Sequence, residues 1–573
     1  MKKLLFIVLT INIALNSCAQ TSKQIVGAGK EVDPYHFSST KNLTITHGCV
    51  ASAHPLASEI GLAILKRGGN AFDAMIATQL ALAVVYPAAG NIGGGGFTVA
   101  RTKNDSLIAL DYREAAPSKA SRNMYIDSAG NARTDWSQNG HLSVGVPGTV
   151  AGLFAEYKYA KLSFKDLIQP AIDLAEKGYV LTKNEAASFN STQEDFIKYN
   201  TKPNAFVQQK PWKENDTLFQ PELAKTLKLI RDNGMKGFYE GETAKLIVEE
   251  MQRGKGIISY DDLKNYVCKS RKPTEFDYRG YHVVSMPPSS SGGIILGEML
   301  KMIEPYPLHD YGFQTKKSVQ LIIEAERRAY ADRAEHLGDP DFWNVPENIL
   351  LSDAYAKKRM SDYDSTKASK SENIKAGNVH ESNQTTHISI IDAEGNMVAV
   401  TTTLNNGYGS KTIAGGAGFF LNDEMDDFSI KPGVPNLYGA VGGDANAIAP
   451  GKRMLSSMTP TLVLKNNKPF MVVGTPGGTT ITTSVFQSIV NVVDFGMNAE
   501  DAVDKPKFHH QWLPDTVMIE KGFSESTAQQ LKGMGYKLVE LNGIGRTELI
   551  KILPDGKREA AADIRGDDSV SGY

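Results

Sequence analysis

Apolar positions change their period repeatedly along the chain. Leu56, Ile60, Ala63 and Ile64 recur at helical spacing, and Gly68-Gly69 ends the run. Asn70, with Asp73 three residues on, carries a capping pattern for a second helix over 71–85. That stretch is apolar on nearly every side, so it belongs between layers, and Pro87 stops it. Helical spacing returns over 149–159, 165–177, 222–233, 319–336 and 483–495. Strand patterns occupy 97–101, 107–112, 281–286, 461–464 and 470–473, and 44–51 reads as one short strand.

Two further β-rich runs, 387–391 and 397–401, flank Ala393-Glu394-Gly395-Asn396, a hairpin signal. A symmetric turn there opposes Thr386 to Thr403 and Thr385 to Leu404. Strict alternation then turns Thr403 away from Thr385, and contact between them requires a bulge or a twist.

Thr385, in Asn383-Gln384-Thr385-Thr386-His387, is the candidate nucleophile. An internal threonine hydroxyl needs an external base. Cutting the Gln384-Thr385 peptide would place an α-amino group, with an ordinary pKa of roughly 8, on the same residue. The chain accordingly reads as a long segment before the junction and a short one after it.

Other chemistry-bearing residues are scattered. Arg113 ends the 107–112 strand, and its planar fork suits a carboxylate. The acidic turn Asn422 to Phe428 lacks the spacing of a calcium loop, leaving an ammonium site or a solvated turn as its readings. Pro476-Gly477-Gly478, ahead of a helix, can aim amides at a developing oxyanion. The Gly90 to Gly96 run lacks the Lys-Ser/Thr ending of a phosphate loop and reads as backbone packed too closely for side chains. Adjacent His509 and His510 point to opposite faces of a strand, against a shared metal. The irregular 432–450 stretch reads as a lid.

Composition narrows the class. A net charge of −2 and the absence of basic runs with interleaved aromatics argue against nucleic acid. Lys2-Lys3 precedes an apolar run from Leu4 to Leu15, too short for a membrane span, which reads as a secretory leader. It ends either at a lipobox-like Leu15-Asn16-Ser17-Cys18, with Cys18 lipidated, or by ordinary cleavage near Ala19-Gln20. Besides Cys18 only Cys49 and Cys268 remain, so no disulfide framework exists. The stretch 21–42 reads as a tether or an outer strand.

The ordered set Gly90 to Phe97, Asp111-Tyr112-Arg113-Glu114, Gln384-Thr385-Thr386-His387, Asn422 to Phe428, Leu455-Ser456-Ser457-Met458, Pro476-Gly477-Gly478 and Phe508 to Pro514 resembles the γ-glutamyltransferase (γ-glutamyl transpeptidase) family, from about residue 43 to Tyr573. The resemblance implies an α+β fold, the four-layer αββα sandwich of N-terminal-nucleophile hydrolases, made as a precursor that cuts itself. It divides the chain into a leader at 1–18, a large subunit at 19–384 and a small subunit at 385–573, which remain together as a heterodimer.

Carried over by position, Thr385 is the nucleophile, Thr403 orients it, and Gly477 and Gly478 form the oxyanion hole. Arg113, Ser456 and Ser457 hold a donor's α-carboxylate, Asn405, Glu424 and Asp427 its α-ammonium, and Tyr438 gates the lid. Donors would be glutathione and other γ-glutamyl compounds, and acceptors water, amino acids or peptides, with neither cofactor nor metal. Met454, Thr475 and Glu424 depart mildly from the common pattern and bear on substrate preference. The rival readings are an acylase or a poly-γ-glutamate-cleaving enzyme on the same scaffold, and a non-catalytic peptide-binding envelope lipoprotein. The ammonium-binding acids favour an amino-acid donor over glutaryl.

Overall fold

The computed structural model describes residues 32–374, 385–431 and 443–573. The expectations for Cys18, Gln384 and Tyr438 lie outside these residues.

Two seven-stranded sheets stack face to face, and neighbouring strands within each run antiparallel. The first runs from edge to edge as β1 (Asn42–Ile45), β13 (Arg558–Ala562), β12 (Glu548–Ile552), β11 (Lys468–Gly474), β10 (Thr461–Lys465), β7 (Tyr281–Ser285) and β6 (Thr274–Tyr278). The second runs β14 (Ser569–Gly572), β2 (Cys49–Ser52), β8 (Thr386–Ile391), β9 (Met397–Thr403), β3 (Gly95–Arg101), β4 (Leu107–Tyr112) and β5 (Lys269–Arg271).

Alternation along the strands builds the layers. In β8 and β9, Ile388, Ile390, Val398 and Val400 pack outward onto helices α1 (Pro55–Lys66), α2 (Ala71–Val85) and α4 (Phe164–Lys177). Ile391, Met397 and Ala399 instead face Leu462, Val472 and Ile550 of the other sheet. On the far side, Val463, Met471 and Val473 meet α5 (Gly292–Ile303), α6 (Lys316–His336) and α7 (Thr480–Val493). The result is the expected αββα sandwich. Helix α2 is buried along its whole length, and Asn70 and Asp73 close the capping box. Between α2 and α4, α3 (Thr149–Glu156) covers β3 and β4.

Two expectations are corrected. The 44–51 stretch is not one strand: β1 pairs with β13 in the first sheet, whereas β2 pairs with β8 and β14 in the second. The chain changes layers across Thr46 to Gly48, a step invisible to local periodicity. The hairpin register is also one residue off the symmetric guess, because Thr386 faces Thr402 and not Thr403. Asn396 belongs to the pairing rather than the turn, since Asp392 N donates to Asn396 O at 3.2 Å. Ala393-Glu394-Gly395 is therefore a three-residue loop whose last residue takes φ +87°. Asp392 fixes it by accepting from the amides of Glu394 and Asn396 and from Ala71 N at the start of α2.

Both sheets mix strands from the two sides of the 384–385 junction. Long-segment β2 lies between β14 and β8, and long-segment β7 pairs with β10. Cys49 is buried between the sheets, and neither it nor Cys268 is bridged.

Candidate active site

The corrected register resolves the geometry of the candidate nucleophile. Carried one residue further, it sets Thr385 opposite Thr403, and opposed residues of an antiparallel pair share a face. Thr385 Oγ1 donates to Thr403 Oγ1 at 3.4 Å, long for a hydroxyl pair. Thr403 Oγ1 also accepts from Asn405 N at 2.8 Å. No bulge is needed.

The same face continues as a polar lane between the sheets. His387 bonds Thr401 Oγ1 at 2.8 Å and Ser389 Oγ at 3.1 Å, and Ser389 Oγ donates to Glu548 O at 3.0 Å. Burial pushes the His387 imidazole down to about 3, so it stays neutral near pH 7.

Stacking of β11 on β8 and β9 brings the Gly-Gly turn to this end. A Cβ on Gly395 would lie 4.0 Å from Pro469 Cγ, and one on Gly474 would lie 2.1 Å from His387 Cε1. Gly474 thus lies against His387, two residues along the chain from Thr385. Gly477 and Gly478 take φ +141° and +58°, and their carbonyls accept from Thr480 N and Ile481 N to open α7. Those bonds start the helix three residues earlier than its apolar pattern suggests.

The Gly90 to Gly96 run behaves as expected. A Cβ would lie 2.1 Å from Phe420 O at Gly93 and 2.1 Å from Thr403 O at Gly94. The one side chain there that sequence reasoning passed over is Asn91. Its Nδ2 donates to Thr403 O at 2.9 Å and Ala89 O at 2.8 Å, while Oδ1 accepts from Gly94 N and Thr149 Oγ1. Asn91 thus locks the end of β9 behind Thr403. Its signal was a polar amide among glycines that leave no room for one.

Arg113 lies fully buried against the acidic turn rather than apart from it. Its Nη1 is 2.5 Å from Glu424 Oε2 and 3.6 Å from Glu114 Oε2, and its Nη2 donates to Asp427 Oδ2. Its Nε donates to Met454 O at 3.3 Å, placing it beside the segment that carries Ser456 and Ser457. The turn is therefore no solvated loop: Asn422, Asp423, Glu424 and Asp426 are all buried. Burial disfavours the Arg113 charge, but Glu424, Asp427 and Glu114 outweigh it and hold the guanidinium cationic. Burial raises Glu424 and Asp427 against the pull of Arg113, and brings Glu114 up to about 8.

Asn405, at φ +79°, ties its amide to Asp423 O at 3.1 Å, so the residue beside Thr403 is joined to the acidic turn. Ser456 is locked by its backbone to Ser289 and Ser291. Ser457 Oγ accepts from Arg333 Nη2 at 3.0 Å. Arg333, on α6, also raises the local positive potential at Asp427. Nothing in the helical pattern of 319–336 distinguished it from a surface arginine. His509 and His510 turn to different partners, Thr483 with Gln511, and Asp515 with Trp512 N.

The arrangement offers a hydroxyl pair at a strand end, a Gly-Gly turn that opens α7 beyond β11, and a buried cation–anion cluster. The glutathione hydrolase proenzyme of Escherichia coli (strain K12) is 46% identical over 554 residues, spanning 96% of this chain and 95% of that protein. A cephalosporin acylase from Bacillus halodurans superposes with a TM-score of 0.83 at 27% identity, covering 95% of this chain and 99% of that one. The γ-glutamyltranspeptidase of Helicobacter pylori is 45% identical with a TM-score of 0.56, covering 57% of this chain and 94% of its own. The Gamma-glutamyltranspeptidase family model matches residues 57–573, and the chain belongs to that family.

Proposed function

We propose that the chain is a self-processing γ-glutamyltransferase and glutathione hydrolase with Thr385 as nucleophile. The observation that carries this is the Thr385–Thr403–Asn405 array, which links the nucleophile to the Arg113–Glu424–Asp427 cluster. In maturation, Thr385 Oγ1 attacks the Gln384 carbonyl carbon, the C–N bond breaks to free the Thr385 amine, and water hydrolyses the resulting ester. In turnover, that amine accepts the hydroxyl proton as Oγ1 attacks the γ-carbonyl of the donor. Gly477 and Gly478 amides stabilise the oxyanion, each worth about 3 kcal/mol. The proton passes to the departing amine, and water or an acceptor amine then releases the γ-glutamyl group.

A zwitterionic donor suits the buried cluster. Its carboxylate takes Arg113, with Ser456 and Ser457, and its ammonium takes Glu424, Asp427 and Asn405, so each charge of the donor meets its opposite. A glutaryl group would take Arg113 but offer Glu424 and Asp427 no ammonium, so those buried acids would gain nothing from it. That favours γ-glutamyl transfer over the acylase reading. Tyr438 as lid residue, export through the leader, and a lipid on Cys18 complete the proposal.

Denaturing electrophoresis with N-terminal sequencing tests it. Two bands are expected, the smaller beginning at Thr385, and Thr385→Ala should stay a single inactive chain. Faster release of chromophore from glutaryl than from γ-glutamyl anilide would overturn the donor assignment.

A further inference from the structure

The Phe508 to Pro514 segment contributes to the family likeness, yet the proposed chemistry uses none of it. Trp512 is 2% exposed and holds φ +70°, a conformation bulky residues adopt only where their surroundings impose it. Its indole Nε1 donates to two carbonyls of the long segment, Ser371 O at 3.0 Å and Ile374 O at 2.6 Å. Asp515 Oδ2 accepts from Ser371 N at 2.9 Å, and Arg327 donates to both Asp515 and the Ser371 hydroxyl. His510 braces the pair, taking Trp512 N on Nδ1 at 3.0 Å and meeting Asp515 through Nε2 at 3.3 Å. Three successive contacts from the short segment thus grip the long segment shortly before the junction.

We propose that Trp512 and Asp515 are positioning residues for self-cleavage. They hold the upstream arm of the self-cleaving segment, so scission of the precursor depends on them and turnover of the cut protein does not. The inference rests on Thr385 being the self-cleaving residue. Indole and carboxylate bind backbone groups, so they fix the orientation of the Ser371 to Ile374 turn itself. Loop length alone would matter little. The next contacts upstream, Ser369 N to Glu324 Oε1 and Ala368 N to Met534 O, lengthen the span to the junction from about 10 to about 15 residues, a change of less than about twofold in closure. Orientation is worth more, because small misplacements of reacting atoms cost large factors in rate.

Trp512→Phe keeps the ring and removes the donor. Two quantities decide the matter: the rate at which purified precursor becomes two chains, and kcat and KM for a γ-glutamyl anilide once conversion is complete. Conversion about fivefold slower or more, with kcat/KM of the cut protein within about twofold of the parent, is the expected result. Conversion slowed by about twofold or less, or conversion and turnover falling together, overturns the proposal. Asp515→Asn, isosteric and at a side chain 36% exposed, provides the same comparison if the Phe variant yields no soluble chain. Thr385→Ala runs alongside. Its splitting would overturn the self-cleavage reading, whereas an intact Thr385→Ala chain beside an unslowed Trp512→Phe precursor overturns the clamp alone.

Discussion

At the scale of single residues, Thr403 decides most. Its hydroxyl receives Asn405 N at 2.8 Å and the Thr385 hydroxyl at 3.4 Å, so one oxygen aligns nucleophile and binding loop. Thr403→Val keeps the shape and removes that oxygen. Steady-state kinetics should show kcat lowered by up to roughly 100-fold, the scale of a misplaced reacting group, with Thr403→Ser recovering most of it. Equal loss in the Ser and Val variants would mean that packing, not the hydroxyl, is what matters. Residue type and order identified Thr385, Arg113 and Glu424 as chemistry-bearing. They did not reveal that Arg113 and Glu424 touch, because partners separated by hundreds of residues leave no mark on each other's local pattern.

At the scale of elements, α3 meets β3 through a buried acid. Glu156, the last residue of α3, accepts from Thr98 Oγ1 through one carboxyl oxygen, and burial pushes its pKa up to about 8. The end of a helix disfavours negative charge as well. With the folded pKa above an unfolded value near 4.5, the unfolded chain binds fewer protons between those limits. Stability from this group is complete below about pH 4.5 and declines by about 1.4 kcal/mol per pH unit as pH rises toward 8. Glu156→Gln has no proton to lose. Thermal melts should show the Gln variant gaining on the parent steadily from pH 5 to pH 8, and a pH-independent difference would contradict a neutral Glu156. Elements were legible from sequence where caps and periods are local, as in α2. They were misread where a turn one residue shorter, or a change of layer inside 44–51, was set by contacts with other elements.

At the scale of the whole molecule, the strand order makes the two segments inseparable in the native state. Long-segment β2 pairs on both sides with short-segment strands, and β9 pairs with long-segment β3 along seven residues. After cleavage at 384–385, size-exclusion chromatography in native buffer should give one peak containing both chains, which part only in denaturant. The 385–573 segment expressed alone should fail to fold, since five of its seven strands in the two stacked sheets, β8, β9, β10, β13 and β14, would lose a hydrogen-bonded neighbour. Recovery of soluble, monomeric 385–573 with native-like circular dichroism would count against that view.

The amino-acid sequence by itself determined the alternating elements, the layered class, the glycine run with no room for side chains and the identity of the chemical groups. Each of these depends on spacing within a few residues or on the motif order that carries the family resemblance. Tertiary structure alone decided that Thr385 faces Thr403, that Asn91 braces that pair from behind, and that the arginine and acids form one neutralising cluster. Those outcomes depend on how sheets stack and how a three-residue loop sets a register, and both are fixed by contacts between distant parts of the chain.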